Sequence, residues 1–387
     1  MKTFDINKIR KDFPALEEYT YLNSSSISIM PNPVQDSLKA FMNKIAYAGT
    51  VSFDEEAEIA SVENTRNSAS RLLNCSEENI AIISSATEGL CQVAWALRPK
   101  GNIVVIDIEF PSGVTPWVRI AKETNAEVRF ITVKDRPADL LLEEIVSNID
   151  DETSIVCVGH AQYSNGLRVD LKELAAACHA KGAKCIIDAT QSAGIVPIDV
   201  KETNVDALVS GGYKWLCGPF GAAVLYISDN LKEAIEPVFV GWRSMKDPYI
   251  FDATRYEYND GLRGYEYSTM SYSAGYALGE SINYILDLGI DQIFKQAIKT
   301  SNYLMTRLDD IGATILSPRE ENRRTGSVLA RFPGYDGEEV ARELNKRNVI
   351  VSPRFNGTRF SCHFFNNEED IDSAIKTLER ILFDLKK

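Results

Sequence analysis

Apolar runs rich in β-branched residues alternate with segments of helical periodicity between about residues 79 and 227. The runs are apolar throughout, which is the pattern of strands covered by helices on both faces. The pattern therefore predicts an α/β domain with a mostly parallel sheet, in which functional residues collect at the carboxyl ends of the strands. The predicted strands are NIAII, NIVVIDI, EVRFITV, TSIVCVGH, KCIIDAT, DALVSGG and AAVLYI. The predicted intervening helices are TEGLCQVAWAL, VTPWVRIAKET, DLLLEEIVSNI and DLKELAAACHAKG.

The pattern changes after about residue 270. Two long helical stretches, SYSAGYALGESINYILDLG and DQIFKQAIKTSNYLMTRLDDIG, precede short strands and helices. This is typical of a smaller α+β lobe, and no Pro/Ser-rich linker separates it from the preceding part. We predict a large domain of residues 20–284 and a small domain formed by residues 1–19 and 285–387.

The charge of the chain restricts its partners. Its 387 residues carry a formal net charge of −13. Nucleic acids and anionic membrane surfaces require clustered Lys and Arg, so this balance favours a small-molecule substrate. The N-terminus has no apolar core of signal-peptide length, and no stretch approaches the roughly 20 apolar residues that span a bilayer. The sequence therefore predicts a cytoplasmic protein that binds neither nucleic acid nor membrane.

The cysteines and histidines favour neither a disulfide framework nor a metal site. Seven cysteines are scattered through apolar runs, which indicates reduced, buried thiols. The histidines are His160, His179 and His363, and neither Cys-x-x-Cys nor His-x-x-x-His spacing occurs. We expect no metal.

A lysine and two polar residues follow the ends of two predicted strands. IIDATQSAG places Asp188 and Gln191 after one strand, and SGGYKWLCGPFG places Lys214 after the next. Each has an ordinary alternative, because acids at strand ends form turns and lysines between glycines occupy loops. Together they match pyridoxal phosphate chemistry, in which a lysine condenses with the cofactor aldehyde and an aspartate pairs with the pyridinium nitrogen. Aromatic neighbours such as Tyr213 would desolvate the lysine, whose pKa shifts readily.

The segment SSATEGL puts small and hydroxyl-bearing residues directly before a predicted helix. The backbone N–H groups near Ala86 and Thr87, the Thr87 hydroxyl and the helix dipole can hold an anionic phosphate. An N-cap with a capping acid, without a ligand, is the alternative that the same residues allow.

These segments resemble a known family. IIDATQSAG, VSGGYKWLCGPFG, SSATEGL and TRFSCHFFNNEEDID are similar to motifs of the class V aminotransferase family of fold-type I pyridoxal phosphate enzymes. The resemblance extends from YLNSSSISIMP to EEDID and covers nearly the whole chain. EFPSGVTPW, GHAQYSNGLRVDL and GYKWLCGPFG are most similar to the branch of isopenicillin N epimerase-like and selenocysteine lyase or C–S lyase-like proteins.

The resemblance implies a set of contacts with pyridoxal 5'-phosphate. Lys214 would form a Schiff base with the cofactor, Asp188 would pair with its ring nitrogen and Gln191 would contact its ring hydroxyl. Phe110 would stack on the ring, although a core Phe at a strand end is an equal alternative. Gly211 stands where the family has Ser or Thr, which leaves its neighbour Ser210 as the nearest hydroxyl. The other implied contacts are Ala86, Thr87 and Tyr213 at the phosphate, and Gln162 and Asn165 at the ring or the substrate.

The resemblance also implies how the substrate and a second subunit are bound. Arg359 in NGTRFSCHF matches the family's arginine for the substrate carboxylate, which a guanidinium binds through two hydrogen bonds. An exposed strand arginine is the alternative. Thr269 matches a threonine that reaches the phosphate of the neighbouring subunit. We therefore expect a small amino acid as substrate and a homodimer with active sites at the subunit interface.

The type of reaction is less constrained. Cysteine desulfurases of this family carry a nucleophilic Cys shortly before the arginine, but NKRNVIVSPRFNGTR contains none, and Phe110 replaces their usual His. The chain is therefore not expected to be a typical cysteine desulfurase. We expect Lys214 to remove the Cα proton of a small L-amino acid in a β-eliminating C–S lyase, with a class V aminotransferase as the alternative. An epimerase, which needs a second acid–base group such as a Tyr or His160, and a non-catalytic binding protein are further alternatives.

Overall fold

A seven-stranded sheet forms the centre of the larger part of the molecule. The computed structural model describes residues 4–133, 142–259 and 261–386. The strands in these residues, in chain order, are β1 (Thr20–Tyr21), β2 (Ile80–Ile83), β3 (Asn102–Ile106), β4 (Glu127–Ile131), β5 (Thr153–Gly159), β6 (Lys184–Asp188), β7 (Ala207–Gly211), β8 (Ala223–Ile227), β9 (Thr314–Ile315), β10 (Ser327–Arg331), β11 (Val349–Ile350), β12 (Ser352–Arg354) and β13 (Gly357–Ser361). The large sheet has the order β2-β8-β7-β6-β5-β3-β4.

Both faces of this sheet are buried, as the apolar runs predict, except at its edge strand β4, where Glu127 and Phe130 are exposed. Successive residues of one strand enter different clusters: Val104 packs on one side and Val105 on the other. The covering helices and those of the C-terminal part are α1 (Ile6–Arg10), α2 (Asn32–Ala48), α3 (Glu55–Leu73), α4 (Ala86–Leu97), α5 (Thr115–Thr124), α6 (Leu142–Ser147), α7 (Leu171–Ala180), α8 (Val200–Thr203), α9 (Asp229–Lys232), α10 (Tyr272–Leu288), α11 (Ile290–Asp310), α12 (Gly337–Asn345) and α13 (Glu368–Leu385).

The C-terminal part has its own antiparallel sheet, with the order β12-β13-β10-β9. Its apolar core includes residues of α11, α12 and α13, such as Leu304, Leu344 and Leu378. The short strand β1 pairs in parallel with β11, so the chain segment at Thr20–Tyr21 lies beside this part. The division into domains 20–284 and 1–19 plus 285–387 stays a prediction, and this pairing argues for moving its first boundary beyond residue 21.

The predicted mostly parallel sheet is confirmed. Strands β7, β6, β5, β3 and β4 pair in parallel, and β8 runs antiparallel between β7 and β2. Of the predicted helix DLLLEEIVSNI, residues 139–141 lie outside the described residues, and α6 begins at Leu142. In the described part of the chain, no helix is long and apolar enough to cross a membrane.

Candidate active site

Segments that follow the carboxyl ends of β2, β3, β5, β6 and β7 surround one cavity. These strands share one direction, so their ends meet at the same edge of the sheet. The cavity opens to solvent, and its space together with that of its open mouth is about 550 Å³. Of the residues predicted from the sequence, those in its wall are Ala86, Thr87, Phe110, Asp188, Gln191, Tyr213 and Lys214.

Lys214 is a nearly buried amine, with 7% of its surface exposed. Its Nζ lies 5.3 Å from the centroid of the Phe110 ring and 5.5 Å from that of Tyr213. No carboxylate oxygen of the described residues lies within 4.0 Å of it. Burial lowers the pKa of Lys214 to about 8, although the negative charge of Asp188 acts to raise it. An amine and an ammonium are therefore both available near neutral pH.

Asp188 ends β6, and the turn after the strand orients its carboxyl. Oδ1 accepts a hydrogen bond from the backbone N–H of Thr190 at 2.9 Å. Thr190 itself lines the cavity, and its hydroxyl accepts the N–H of Gly211 at 3.2 Å. The strand end thus presents a carboxylate whose position is set by the backbone around it.

Gln191 bridges two other parts of the site. Its Nε2 donates to the carbonyl of Ser25 at 2.9 Å, and its Oε1 accepts from the indole N–H of Trp215 at 2.9 Å. One N–H of the Nε2 amino group is left for a further partner. Contact of Gln191 with a cofactor hydroxyl stays a prediction.

The first turn of α4 forms one end of the cavity. Ser85 is the N-cap, and its hydroxyl accepts the N–H of Glu88 at 3.1 Å. Ala86 and Thr87 precede Glu88 in the same turn. Their N–H groups have no carbonyl partner within the helix, as is general for the first residues of a helix. The Thr87 hydroxyl pairs with that of Ser112 at 2.7 Å. This end of the cavity offers N–H groups, hydroxyls and the positive end of a helix dipole to an anion.

Two aromatic rings form the apolar walls. Phe110 is 45% exposed and packs edge-to-face against Tyr163, with centroids 5.7 Å apart. Tyr213 stacks on Phe220 at 4.7 Å, and burial raises its pKa. Phe110 is therefore no core residue, which removes the alternative that its sequence position allowed, although stacking on a cofactor stays a prediction.

Arg359, on β13, is fully buried and has no anionic partner among the residues that the structure describes. One terminal nitrogen donates to the carbonyl of Tyr163, and the other donates to Ser26 Oγ at 2.5 Å. Its Nε is buried without a hydrogen-bond partner, and no described carboxylate lies within 4.0 Å. Burial, and then the charge of Arg354, lowers its pKa, which means that the cation is held at a cost in free energy. The structure therefore excludes an exposed strand arginine.

Ser210 lies away from the cavity, and this prediction has to be corrected. Neighbouring residues of a strand point to opposite faces, so Gly211 faces the site and Ser210 does not. Its hydroxyl is buried without a partner, among side chains such as Leu73 and Leu216.

Asn165 also lies elsewhere. Its Nδ2 donates to the carbonyl of Leu316 at 3.3 Å, and its Oδ1 accepts the N–H of Leu167 at 3.1 Å. Its amide thus stabilises a buried loop contact with the C-terminal part, and the predicted contact with ring or substrate has to be corrected.

Neither Gln162 nor Thr269 is among the wall residues, although Gln162 contacts one of them. Gln162 is buried and donates from Nε2 to Glu109 Oε1 at 2.8 Å. Thr269 is exposed in the segment before α10. Its contact with a neighbouring subunit stays a prediction.

Sequence reasoning missed several wall residues. The wall also contains Glu109, Ser112, Tyr163 and Thr190, the last of which follows Asp188 by two positions. Glu109 had a sequence signal, since it is the acid that follows the apolar run NIVVIDI. The others had none, because serines and tyrosines are common in loops.

The wall residues suit an anionic aromatic cofactor that reacts with an amine. A desolvated lysine, a strand-end carboxylate, aromatic faces and a helix N-terminus surround one space of about 550 Å³. These are the groups needed by a pyridine aldehyde that carries a phosphate. On geometry alone, the residues fit pyridoxal phosphate.

Comparison with known proteins agrees with this geometry. A family model described as Aminotransferase class-V matches residues 20–373. An uncharacterized aminotransferase of Bacillus subtilis, YcbU, is 29% identical over 368 residues and covers 95% of both chains. A probable cysteine desulfurase of Pyrococcus abyssi is 27% identical and covers 98% of both chains.

Solved structures share the fold. The cysteine desulfurase of Thermococcus onnurineus NA1 superposes with a TM-score of 0.87 at 23% identity, over 97% of both chains. The cystine C–S lyase C-DES, in complex with its product cysteine persulfide, has a TM-score of 0.87 at 22% identity, over 95% of this chain and 98% of that one. These similarities confirm the predicted fold-type I architecture.

Proposed function

Because this chain belongs to the class V aminotransferase family and is a pyridoxal phosphate-dependent enzyme, we propose that it is a β-eliminating C–S lyase acting on a small L-amino acid. The family and the cofactor predicted from the sequence are thereby confirmed. The prediction that the chain is not a typical cysteine desulfurase stays a prediction, since several relatives carry that name.

The position of the cysteines supports a lyase. Cys362 follows β13, is fully buried and donates its backbone N–H to the carbonyl of Gly326 at 3.0 Å. Burial raises the pKa of its thiol, so the thiolate that a desulfurase needs is disfavoured. Among the described residues, no cysteine lines the cavity. A substrate sulfur would therefore leave with its own fragment instead of passing to the protein.

Pyridoxal phosphate, when bound, supplies an aldehyde carbon that condenses with amines and a ring that takes up the electrons of a broken Cα–H bond. Lys214 would accept the Cα proton, and its pKa of about 8 keeps part of it as a free amine at neutral pH. Asp188 would hold a proton at the ring nitrogen, and the first turn of α4 with Thr87 would bind the phosphate. Arg359 would bind the substrate carboxylate and thereby orient the Cα–H bond toward Lys214.

The sequence left three alternatives open, and the last of them, a non-catalytic binding protein, is removed because the family match and the relatives support an enzyme. An aminotransferase needs no residue beyond those described, and the Bacillus subtilis relative carries that name. An epimerase needs a second acid–base group, but His160 is outside the cavity wall and bonds through Nδ1 to Ser192. Burial also lowers the pKa of His160 to about 3, which disfavours proton uptake. A non-catalytic binding protein would leave the absorption of bound cofactor unchanged when amino acids are added.

A product assay distinguishes lyase from aminotransferase. The purified protein with pyridoxal phosphate is incubated with L-cysteine or L-cystine, and separately with amino acid and α-keto acid pairs. We expect pyruvate and ammonium in equal amounts, with hydrogen sulfide from L-cysteine or cysteine persulfide from L-cystine, because Lys214 alone suffices for β-elimination. The control omits the cofactor. A new amino acid formed only when a keto acid is present, without sulfide or persulfide, would contradict the lyase proposal.

We also propose a homodimer. An apolar surface that we call the 238–258 patch includes Val238, Phe239, Val240, Ile250, Phe251, Tyr256 and Tyr258, each at least 43% exposed. Exposed apolar patches of this kind mark interaction surfaces. A further exposed ring, that of Phe220, is 61% exposed and stacks on Tyr213 of the cavity wall, so a partner that contacted Phe220 would lie next to the cavity. Such a partner would allow Thr269 to reach the neighbouring site. The cytoplasmic location stays a prediction.

Light scattering after gel filtration tests the dimer. We expect a mass of about 86 kDa, twice the 43.1 kDa of the chain. Phe251→Asp should shift the mass toward that of one chain, because a charge in an apolar contact has no partner. Phe383→Asp, at another exposed Phe, on α13, is the matched control and should leave the dimer intact. A wild-type protein that elutes as a monomer would overturn this proposal.

A further inference from the structure

A second carboxyl, that of Glu109, lies in the same cavity wall as Asp188. Its Oε1 accepts the N–H of Gly159 at 2.9 Å and that of Gln162 Nε2 at 2.8 Å. Gly159 is the last residue of β5 and pairs in register with Asp188, the last residue of β6. Glu109 itself follows β3, and β5 lies between β3 and β6. Its carboxyl reaches the end of β5 through the bond from Gly159, which is one strand spacing of about 4.8 Å from the end of β6, and the charges of the two carboxyls interact.

The surrounding residues hold this carboxyl in one orientation. The only side-chain hydrogen bond of Gln162 among the described residues is the one to Glu109, and its Oε1 is buried without a partner. At Gly159, an added Cβ would lie 3.0 Å from Glu109 Oε2 and 3.2 Å from the carbonyl oxygen of Ala161. The absence of a side chain at Gly159 therefore leaves the space that the carboxyl occupies.

Glu109 has no cationic partner. No Lys, Arg or His nitrogen of the described residues lies within 4.0 Å of it, and the charge that acts on it is that of Asp188, which has the same sign. The other titratable groups around it are Cys157 on β5, a thiol kept neutral by its raised pKa, and Lys214 and Tyr213 across the cavity. Burial raises the pKa of Glu109 to about 7, although the hydrogen bonds from Gly159 and Gln162 lower it. This carboxyl gains and loses its proton near neutral pH.

We propose that Glu109 regulates the charge at the Asp188 end of the cavity, and that its proton decides whether one or two negative charges face the cofactor's ring nitrogen. The inference rests on the proposed function, since it takes Asp188 as the partner of that nitrogen. With Glu109 protonated, Asp188 alone holds the nitrogen's proton. With Glu109 ionised, a second negative charge holds that proton more firmly. Glu109 acts through Asp188 and is a positioning residue, as Gln162 is for Glu109.

The first test uses the protein without cofactor. A Glu109 with a pKa of about 7 in the folded chain and an ordinary value of 4.5 in the unfolded chain keeps its proton longer when folded. The protonated Glu109 therefore stabilises the fold fully below pH 4.5. This stabilisation is lost as the pH rises to 7, and the folding constant falls by about tenfold per pH unit in this range. We expect the ratio of the folding constants of Glu109→Gln and wild type to rise by about two orders of magnitude between pH 4.5 and 7.5. Glu152→Gln, at an exposed position, is the control and should give a flat ratio.

The second test follows the visible absorption of the bound cofactor from pH 5.5 to 9, without substrate. The pH at the midpoint of the absorption change should be at least about half a pH unit lower in Glu109→Gln than in wild type, because one negative charge beside Asp188 is missing. Should Glu109→Gln not fold, Gln162→Leu serves in its place. It removes a hydrogen bond that lowers the pKa of Glu109, so it should extend the loss of stability to higher pH.

A flat folding ratio for Glu109→Gln would overturn the inference, and so would an unchanged absorption midpoint. Failure of the wild type to bind pyridoxal phosphate would instead overturn the proposed function, because the first test needs no cofactor.

Discussion

Lys214→Ala is expected to abolish turnover and to remove the visible absorption of the lysine-bound cofactor. Lys214 is the only amine in the cavity wall of the described residues, and it serves both as the attachment point and as the base at Cα. Loss of a positioned base alone costs about 10²–10⁴-fold in rate, and loss of the attachment adds to it. The measurements are product formation with the accepted substrate and the absorption spectrum of the holoenzyme.

The stability of Lys214→Ala separates this effect from misfolding. Removing the buried methylenes of the stem costs about 2 kcal/mol. Removing a cation whose pKa is lowered from 10.5 to about 8 regains about 3 kcal/mol of desolvation free energy. The two nearly cancel, so the apoprotein should melt within a few degrees of wild type. Lys172→Ala, at an exposed position, is the control. Turnover within tenfold of wild type in Lys214→Ala would refute the assignment.

Arg359→Met is expected to raise KM for the amino acid by about 30–5,000-fold, because truncating one partner of a buried, hydrogen-bonded charge pair costs about 2–5 kcal/mol. No carboxylate of the described part of the chain pairs with Arg359, so under the proposed role a substrate would supply the paired charge. Steady-state kinetics over a range of substrate concentrations separate KM from kcat. Arg359→Lys, which keeps the charge without the planar fork of donors, should be intermediate.

The same substitution should not destabilise the apoprotein. A buried cation without a counter-ion costs several kcal/mol, which exceeds the loss of the hydrogen bonds to Tyr163 and Ser26. Arg331→Met, at an exposed position on the neighbouring strand β10, is the matched control and should leave KM unchanged. An unchanged KM in Arg359→Met would show that the substrate carboxylate binds elsewhere.

Local signals in the sequence were sufficient for the elements of the large sheet. Continuous apolar runs predicted β2 to β8. The segment TEGLCQVAWAL predicted a helix from Thr87, and α4 begins one residue earlier, at Ala86. Because the strands share one direction, the polar residues that follow them meet at one edge. Asp188, Thr87 and Lys214 could therefore be nominated together before any coordinates.

What the sequence by itself determined was the fold class, the family and the residues that follow the strands, because these depend on periodicity and on short motifs. The tertiary structure alone decided which nominated side chains face the cavity. The pleat of β7 turns Ser210 away although Gly211 faces the site, and Asn165 is held by Leu316, 151 positions away. The burial of Arg359 depends on Tyr163 and Ser26, which lie 196 and 333 positions away, and the surroundings of Glu109 depend on Gly159 and Gln162. Burial and the electric environment of a group are set by long-range packing, which no local pattern encodes.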